Sequence, residues 1–268
     1  MTRGRPPGLA ARSVLALGLS LTLVSVPEEI QIGKQANAQV RKEVPVLHDA
    51  VANVYLSALG RRLARAAPGP KYPYTFNAAD YREINAFALP GGPVWINRGV
   101  LQAATNESQV AGVLAHEIAH VAQRHAADQL TKSMIANWGL GLLGAVLGNT
   151  GGASAAQVAA RMMSGGIFLK FTRDDEREAD RVGLQILTRA GWDGRGMIEL
   201  FEILRRESAR DPSAVEVFFS THPPPAERIR DLRQQLHRAG GTRDSARFHA
   251  VKSALQKLPP AKRMPVPR

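Results

Sequence analysis

Two histidines four residues apart, with a glutamate beside the first, occupy the run His116-Glu117-Ile118-Ala119-His120. On a helix, positions four apart lie one above the other on the same face, so both imidazoles can reach one ion. Glu117 can hold a water at that ion and take its proton. The helix is itself expected, because Val110, Val113, Leu114, Ile118 and Val121 recur at helical spacing around the motif. Such a run arises by chance in about one protein per hundred of this length, so the chemistry needs further ligands.

Catalytic zinc takes three protein ligands and leaves a fourth position open. The chain contains no cysteine, which leaves His, Asp or Glu to complete a site and excludes disulfides, iron–sulfur clusters and thiolate zinc. The segment Glu176-Arg177-Glu178-Ala179-Asp180 supplies two carboxylates four apart, Glu176 and Asp180, on a second helix. One can bind the metal while the other orients a ligand histidine. The competing account is a solvated helix start, where acidic side chains favour the helix dipole.

The elements around these residues follow from caps and breakers. A helix through residues 28–44 closes at Pro45, and a second, from about Leu47 to Ala67, ends at Pro68-Gly69-Pro70. Short β-rich runs at Tyr72–Asn77, Glu83–Leu89 and Val94–Asn97, with the turn Pro90-Gly91-Gly92-Pro93, predict a small antiparallel sheet. Helix returns near Asn106, an N-cap, and runs through the motif to about Leu130. His125 follows His120 by five residues, which on a continuous helix turns it away from the metal side and makes it a packing or surface residue. Further helices are expected from about Asp174 to Ala190, from Met197 to Ser208, and after Pro225.

Residues 1–26 read as a signal peptide or N-terminal anchor: a basic start precedes an apolar run from Val14 to Val26, the length of a secretory apolar region and too short for a comfortable membrane span. No small-x-small cleavage site falls cleanly after Val26. A buried helix is the remaining alternative. Residues 27–238 form the expected catalytic domain, and 239–268 a basic, loosely ordered tail. The glycine-rich apolar segment 134–148 is also too short to span, and suits a buried or partner-facing helix or shallow membrane contact. The formal charge of +12 gathers largely at the two ends, at Arg3, Arg5 and Arg12 and from Arg243 onward. With no RNA-binding sheet motif or basic recognition helix, no nucleic-acid partner is expected.

In this order, HEIAH, the downstream EREAD, the NAFALPGG turn and STHPPPAERI resemble the peptidase family that includes the bacterial HtpX and BepA proteases. The mitochondrial Oma-type proteases and the CAAX prenyl endopeptidases belong to the same family. The likeness runs from about Glu28 to Leu236. It implies an α+β, predominantly helical, zincin-like metalloprotease fold of the gluzincin type, with one Zn2+ per chain held by His116, His120 and Glu176. Asp180 would then orient a ligand from behind, Glu178 would be an ordinary surface residue, and Glu117 the general base. The resemblance sets His222 beside the metal, as a catalytic donor to the oxyanion or as a side chain that approaches the zinc at rest. It sets Asn85 and Ala86 on a sheet edge that binds substrate as an added strand. The chain shows no four-span membrane core as in HtpX and no C-terminal helical repeat domain as in BepA, so exported single-domain members are the nearest comparison. The expected function is a periplasmic or cell-envelope zinc endopeptidase that removes misfolded or misassembled proteins, with peripheral membrane contact possible. The alternative is a chaperone-like assembly factor with a shut zinc site.

Overall fold

The computed structural model describes residues 22–133, 170–223, 226–236 and 240–265. The expectations for most of the leader, for the glycine-rich segment 134–148 and for Pro225 fall outside these residues. Helix α1 (Val26–Glu43) starts at a capping box, in which Ser25 and Glu28 satisfy each other's backbone N–H groups. Helix α2 (Ala50–Ala64) is capped by Asp49, which accepts from Ala52 N, so it begins later than the apolar pattern alone implies.

Three strands follow: β1 (Thr75–Ala79), β2 (Ala86–Ala88) and β3 (Pro93–Asn97), in the spatial order β1-β3-β2. The sheet is mixed, which corrects the expectation of a purely antiparallel one. β2 and β3 pair antiparallel, Phe87 opposite Trp95, whereas β1 and β3 pair parallel, Phe76 opposite Val94. The reason lies in the order. The chain reverses between β1 and β2 and again at the tight turn before β3, so inserting β3 between the other two makes it parallel to β1. All five residues of β3 are buried, as suits a central strand, and β2 is left as an edge.

After the short α3 (Arg98–Ala103) comes α4 (Glu107–Ala122), which carries the HEIAH run and is buried at every position. Asn106 caps it by accepting from Gln109 N. Helix α5 (Arg173–Arg189), opened by a Thr172–Asp175 capping box, and α6 (Arg195–Arg210) both lie against α4. Two glycines permit the approach. A Cβ on Gly112 would stand 2.7 Å from Met197 Cα, and one on Gly183 would stand 3.1 Å from His116 Cα. α5 therefore comes close enough to set its acidic side chains against the motif. A 3-10 turn (Pro212–Ala214), α7 (Glu216–Thr221) and α8 (Ala226–Gln235) complete this side.

The tail departs from expectation. Within 239–268, α9 (Ala246–Gln256) starts at a Ser245 cap and buries Phe248, Val251 and Leu255 against the core that includes α2. Those three residues make an apolar stripe at helical spacing, which the surrounding basic residues and prolines hide. Beyond it, Lys262 forms a bridge with Tyr81. Among the described residues no helix is long and apolar enough to cross a membrane.

Candidate metal centre

Four side chains from three parts of the fold converge beside α4. Ligand-type atoms of His116, His120, Glu176 and His222 all lie within 4.8 Å of one another, and all four residues are buried. The cluster is able to hold a metal ion. His116 and His120 come from successive turns of α4, with their Nε2 atoms 3.0 Å apart. Glu176 comes from the first turn of α5, its Oε2 3.6 Å from His116 Nε2 and its Oε1 3.3 Å from His120 Nε2. His222 sits at the end of α7, which is pinned to the entrance of α5 where Phe171 N donates to Thr221 O. Its Nδ1 is 2.7 Å from Glu176 Oε1.

The outer ring nitrogens of the α4 histidines are backed by other groups, so the inner ones face each other. His116 Nδ1 lies 3.1 Å from Asp180 Oδ1. His120 Nδ1 lies 2.9 Å from His125 Nδ1, and Phe171 stacks on the His120 ring at 3.9 Å. Glu117 is fully buried, and neither carboxylate oxygen has a hydrogen-bond partner among the described residues; Oε1 is 3.7 Å from His222 Nε2. A buried carboxylate of this kind is costly unless another group completes its surroundings. Imidazole nitrogens with one carboxylate are a donor set that suits zinc.

Charge in the protein alone is arranged accordingly. Burial pushes the Glu117 carboxyl up, against the opposing pull of His222 and His116. Burial also drives His120 well below its ordinary value, which keeps it neutral. Burial works against the charged form of Glu176 too, yet His222 and Arg228 hold it well below the usual carboxylate range. The same opposition governs Asp180, lowered by Arg228, and His222, raised by Glu176.

The structure thus brings together His116, His120, Glu176 and His222, with Glu117 and Asp180 adjacent. Asn85 and Ala86 are not among the four and are both buried; Ala86 opens edge strand β2, which packs on α4, and Asn85 O accepts from Asn97 N. Sequence reasoning missed two neighbours. Arg228 reaches Glu176 Oε2 at 2.5 Å and Asp180 at 2.7 Å; its signal was the arginine of AERI, one position before the core residue Ile229. His125 is buried against His120 rather than turned away. Glu178 is half-exposed and still reaches His125 Nε2, at 3.4 Å.

A model of peptidase family M48 matches residues 50–236 of the chain. The chain is 35% identical over 220 residues to the beta-barrel assembly-enhancing protease of Escherichia coli (strain K12), covering 80% of this chain and 45% of that protein. It is 28% identical over 228 residues to the mitochondrial metalloendopeptidase OMA1 of Schizosaccharomyces pombe, covering 83% of this chain and 65% of that one. To the metalloprotease YcaL of Escherichia coli (strain K12) it is 28% identical over 185 residues, covering 67% of this chain and 71% of the relative. The chain spans about half the length of the first of these relatives.

Proposed function

The chain belongs to peptidase family M48, and from that premise we propose that it is a zinc-dependent endopeptidase of the periplasm or cell envelope acting on misfolded or misassembled proteins. One observation carries this reading: two histidines and a glutamate converge beside a fully buried Glu117 whose oxygens have no hydrogen-bond partner among the described residues. The similarity to three proteases, one of them named for enhancing β-barrel assembly, supports protein substrates.

His116, His120 and Glu176 are the residues that hold the zinc. When bound, the metal supplies Lewis acidity, which makes water a better nucleophile near neutral pH and favours an oxyanion. Glu117 accepts the proton of the attacking water and returns it to the leaving amine. His222 donates to the developing oxyanion through Nε2, the nitrogen facing Glu117. Asp180 keeps His116 oriented from behind. The edge of β2, with Asn85 and Ala86, takes the substrate as an added strand, which satisfies its backbone without demanding particular side chains. Partners on this reading are unfolded polypeptides, with peripheral membrane contact and no nucleic acid.

A second reading, a chaperone-like envelope factor with a shut zinc site, draws on His222. As a fourth ligand it would close the coordination, as in structural zinc sites. Metal content and cleavage of unfolded casein, measured together for the full chain and its Glu117→Gln variant, separate the two. One zinc in both with cleavage only by the parent supports the endopeptidase. One zinc in both with cleavage by neither supports the chaperone-like factor, and no zinc in either refutes both.

A further inference from the structure

On an unbroken helix His125 would lie about 140° around the axis from His120. The helix does not continue. α4 ends at Ala122, Arg124 takes a left-handed backbone with φ 61°, and the chain is helical again over 125–133. An arginine in that region is disfavoured, and two contacts hold it there: Arg124 Nε donates to Glu29 Oε2 at 3.0 Å, and its Nη2 donates to Val24 O. Glu29 is fully buried and also accepts from Tyr72 Oη at 2.9 Å. The N-terminal helix α1 thereby fixes the turn that swings His125 back over the motif.

There the two rings meet, with centroids 4.9 Å apart and planes at 74°. Their Nδ1 atoms are 2.9 Å apart, a separation that requires one proton between them. His120 Nε2 faces His116 Nε2 and Glu176 Oε1, and a metal held among these three atoms takes the lone pair of Nε2, so in the loaded site the His120 proton belongs on Nδ1. His125 Nδ1 then accepts it, and the His125 proton sits on Nε2, facing Glu178 Oε2. We propose that His125 is a positioning residue of the metal centre: it accepts the outer proton of His120 and holds that imidazole with Nε2 directed at the metal. The two α4 ligands are thus backed differently, His116 by a carboxylate and His120 by an imidazole that in turn faces Glu178. This inference rests on the zinc reading of the cluster.

The test is zinc affinity of the full chain, read by competition with a chromophoric chelator. His125→Asn keeps an acceptor at the δ position, and its affinity stays within about threefold of the parent. His125→Leu keeps apolar bulk without an acceptor, and affinity falls about ten- to a hundredfold, as when a group backing a ligand histidine is lost. Parity between the two variants, or a greater loss with asparagine, would show a packing role and overturn the proposal while leaving the zinc reading intact. A parent that binds no zinc overturns both. Should His125→Leu not fold, long-range nitrogen–proton NMR of the zinc-loaded parent decides: a His125 proton on Nε2 is expected, and one on Nδ1 refutes the proposal.

Discussion

Arg228 grips Asp180 with two parallel hydrogen bonds, Nε to Oδ2 and Nη2 to Oδ1, both 2.7 Å long. The fork fixes the plane of the carboxylate that faces His116 Nδ1, while Nη1 reaches Glu176 Oε2. Phe201 closes the back of the guanidinium, its centroid 4.4 Å from Cζ. One arginine therefore sets both Glu176 and Asp180 of α5, and it arrives on α8 from beyond the proline run. The burial that disfavours its charge is outweighed by Asp180 and Glu176, which raise its pKa.

Arg228→Met is expected to destabilise the metal-free protein by about 3–5 kcal/mol, because it strands two buried carboxylates. Arg228→Lys restores charge but not the fork, and recovers only part of that loss. Urea unfolding of the three proteins measures it. A loss below about 1 kcal/mol for the methionine variant would mean that the acids are neutralised some other way.

Glu117 contributes the opposite sign. Its folded pKa is raised, by burial first, so the folded state binds its proton more tightly than the unfolded chain does. Its stability contribution is present below the unfolded value of about 4.3 and is lost as pH rises through the folded value. Relative to the parent, metal-free Glu117→Gln should therefore gain stability as pH rises through the folded value of the Glu117 carboxyl. A difference in unfolding free energy that does not change with pH would show that the carboxylate is solvated in the metal-free state.

His222 bridges two buried carboxylates, with Nδ1 on Glu176 and Nε2 toward Glu117. If it acts on the oxyanion, His222→Ala lowers kcat about a hundredfold with KM nearly unchanged, since the contact forms only in the transition state. Zinc content stays at one per chain. Steady-state cleavage of a peptide reporter reads both constants, and a rise in kcat would make His222 an obstruction instead.

How much of this centre was legible depended on how local each signal is. His116, His120, Glu176 and Asp180 lie four apart in pairs, and a single helix turn carries each pairing, so spacing found them. The cap at Asn106 was equally local. The sheet order was not, because β1 pairs with β3 across the intervening β2 and no neighbouring residues record that. α9 was masked by composition, since three apolar residues carry its packing. His125 was misread for a sharper reason: the helix break before it occurs at an arginine, with no glycine or asparagine to mark a left-handed residue. What stabilises that break is Glu29, 95 residues earlier in the chain.

The break itself can be tested at Arg124. Replacement by alanine removes the contacts to Glu29 and Val24 and leaves a side chain in the left-handed region, which costs about 1–2 kcal/mol there. Replacement by glycine removes the same contacts but not the backbone freedom, so the two variants differ only in conformational cost. Both fall below the parent, because among the described residues Glu29 then keeps just the Tyr72 hydroxyl as a side-chain partner in its buried site. Arg124→Gly should nonetheless unfold at higher urea than Arg124→Ala, by about 1 kcal/mol. If alanine proves the more stable of the two, the turn does not hold its left-handed form in solution, and the route by which α1 positions His125 fails with it.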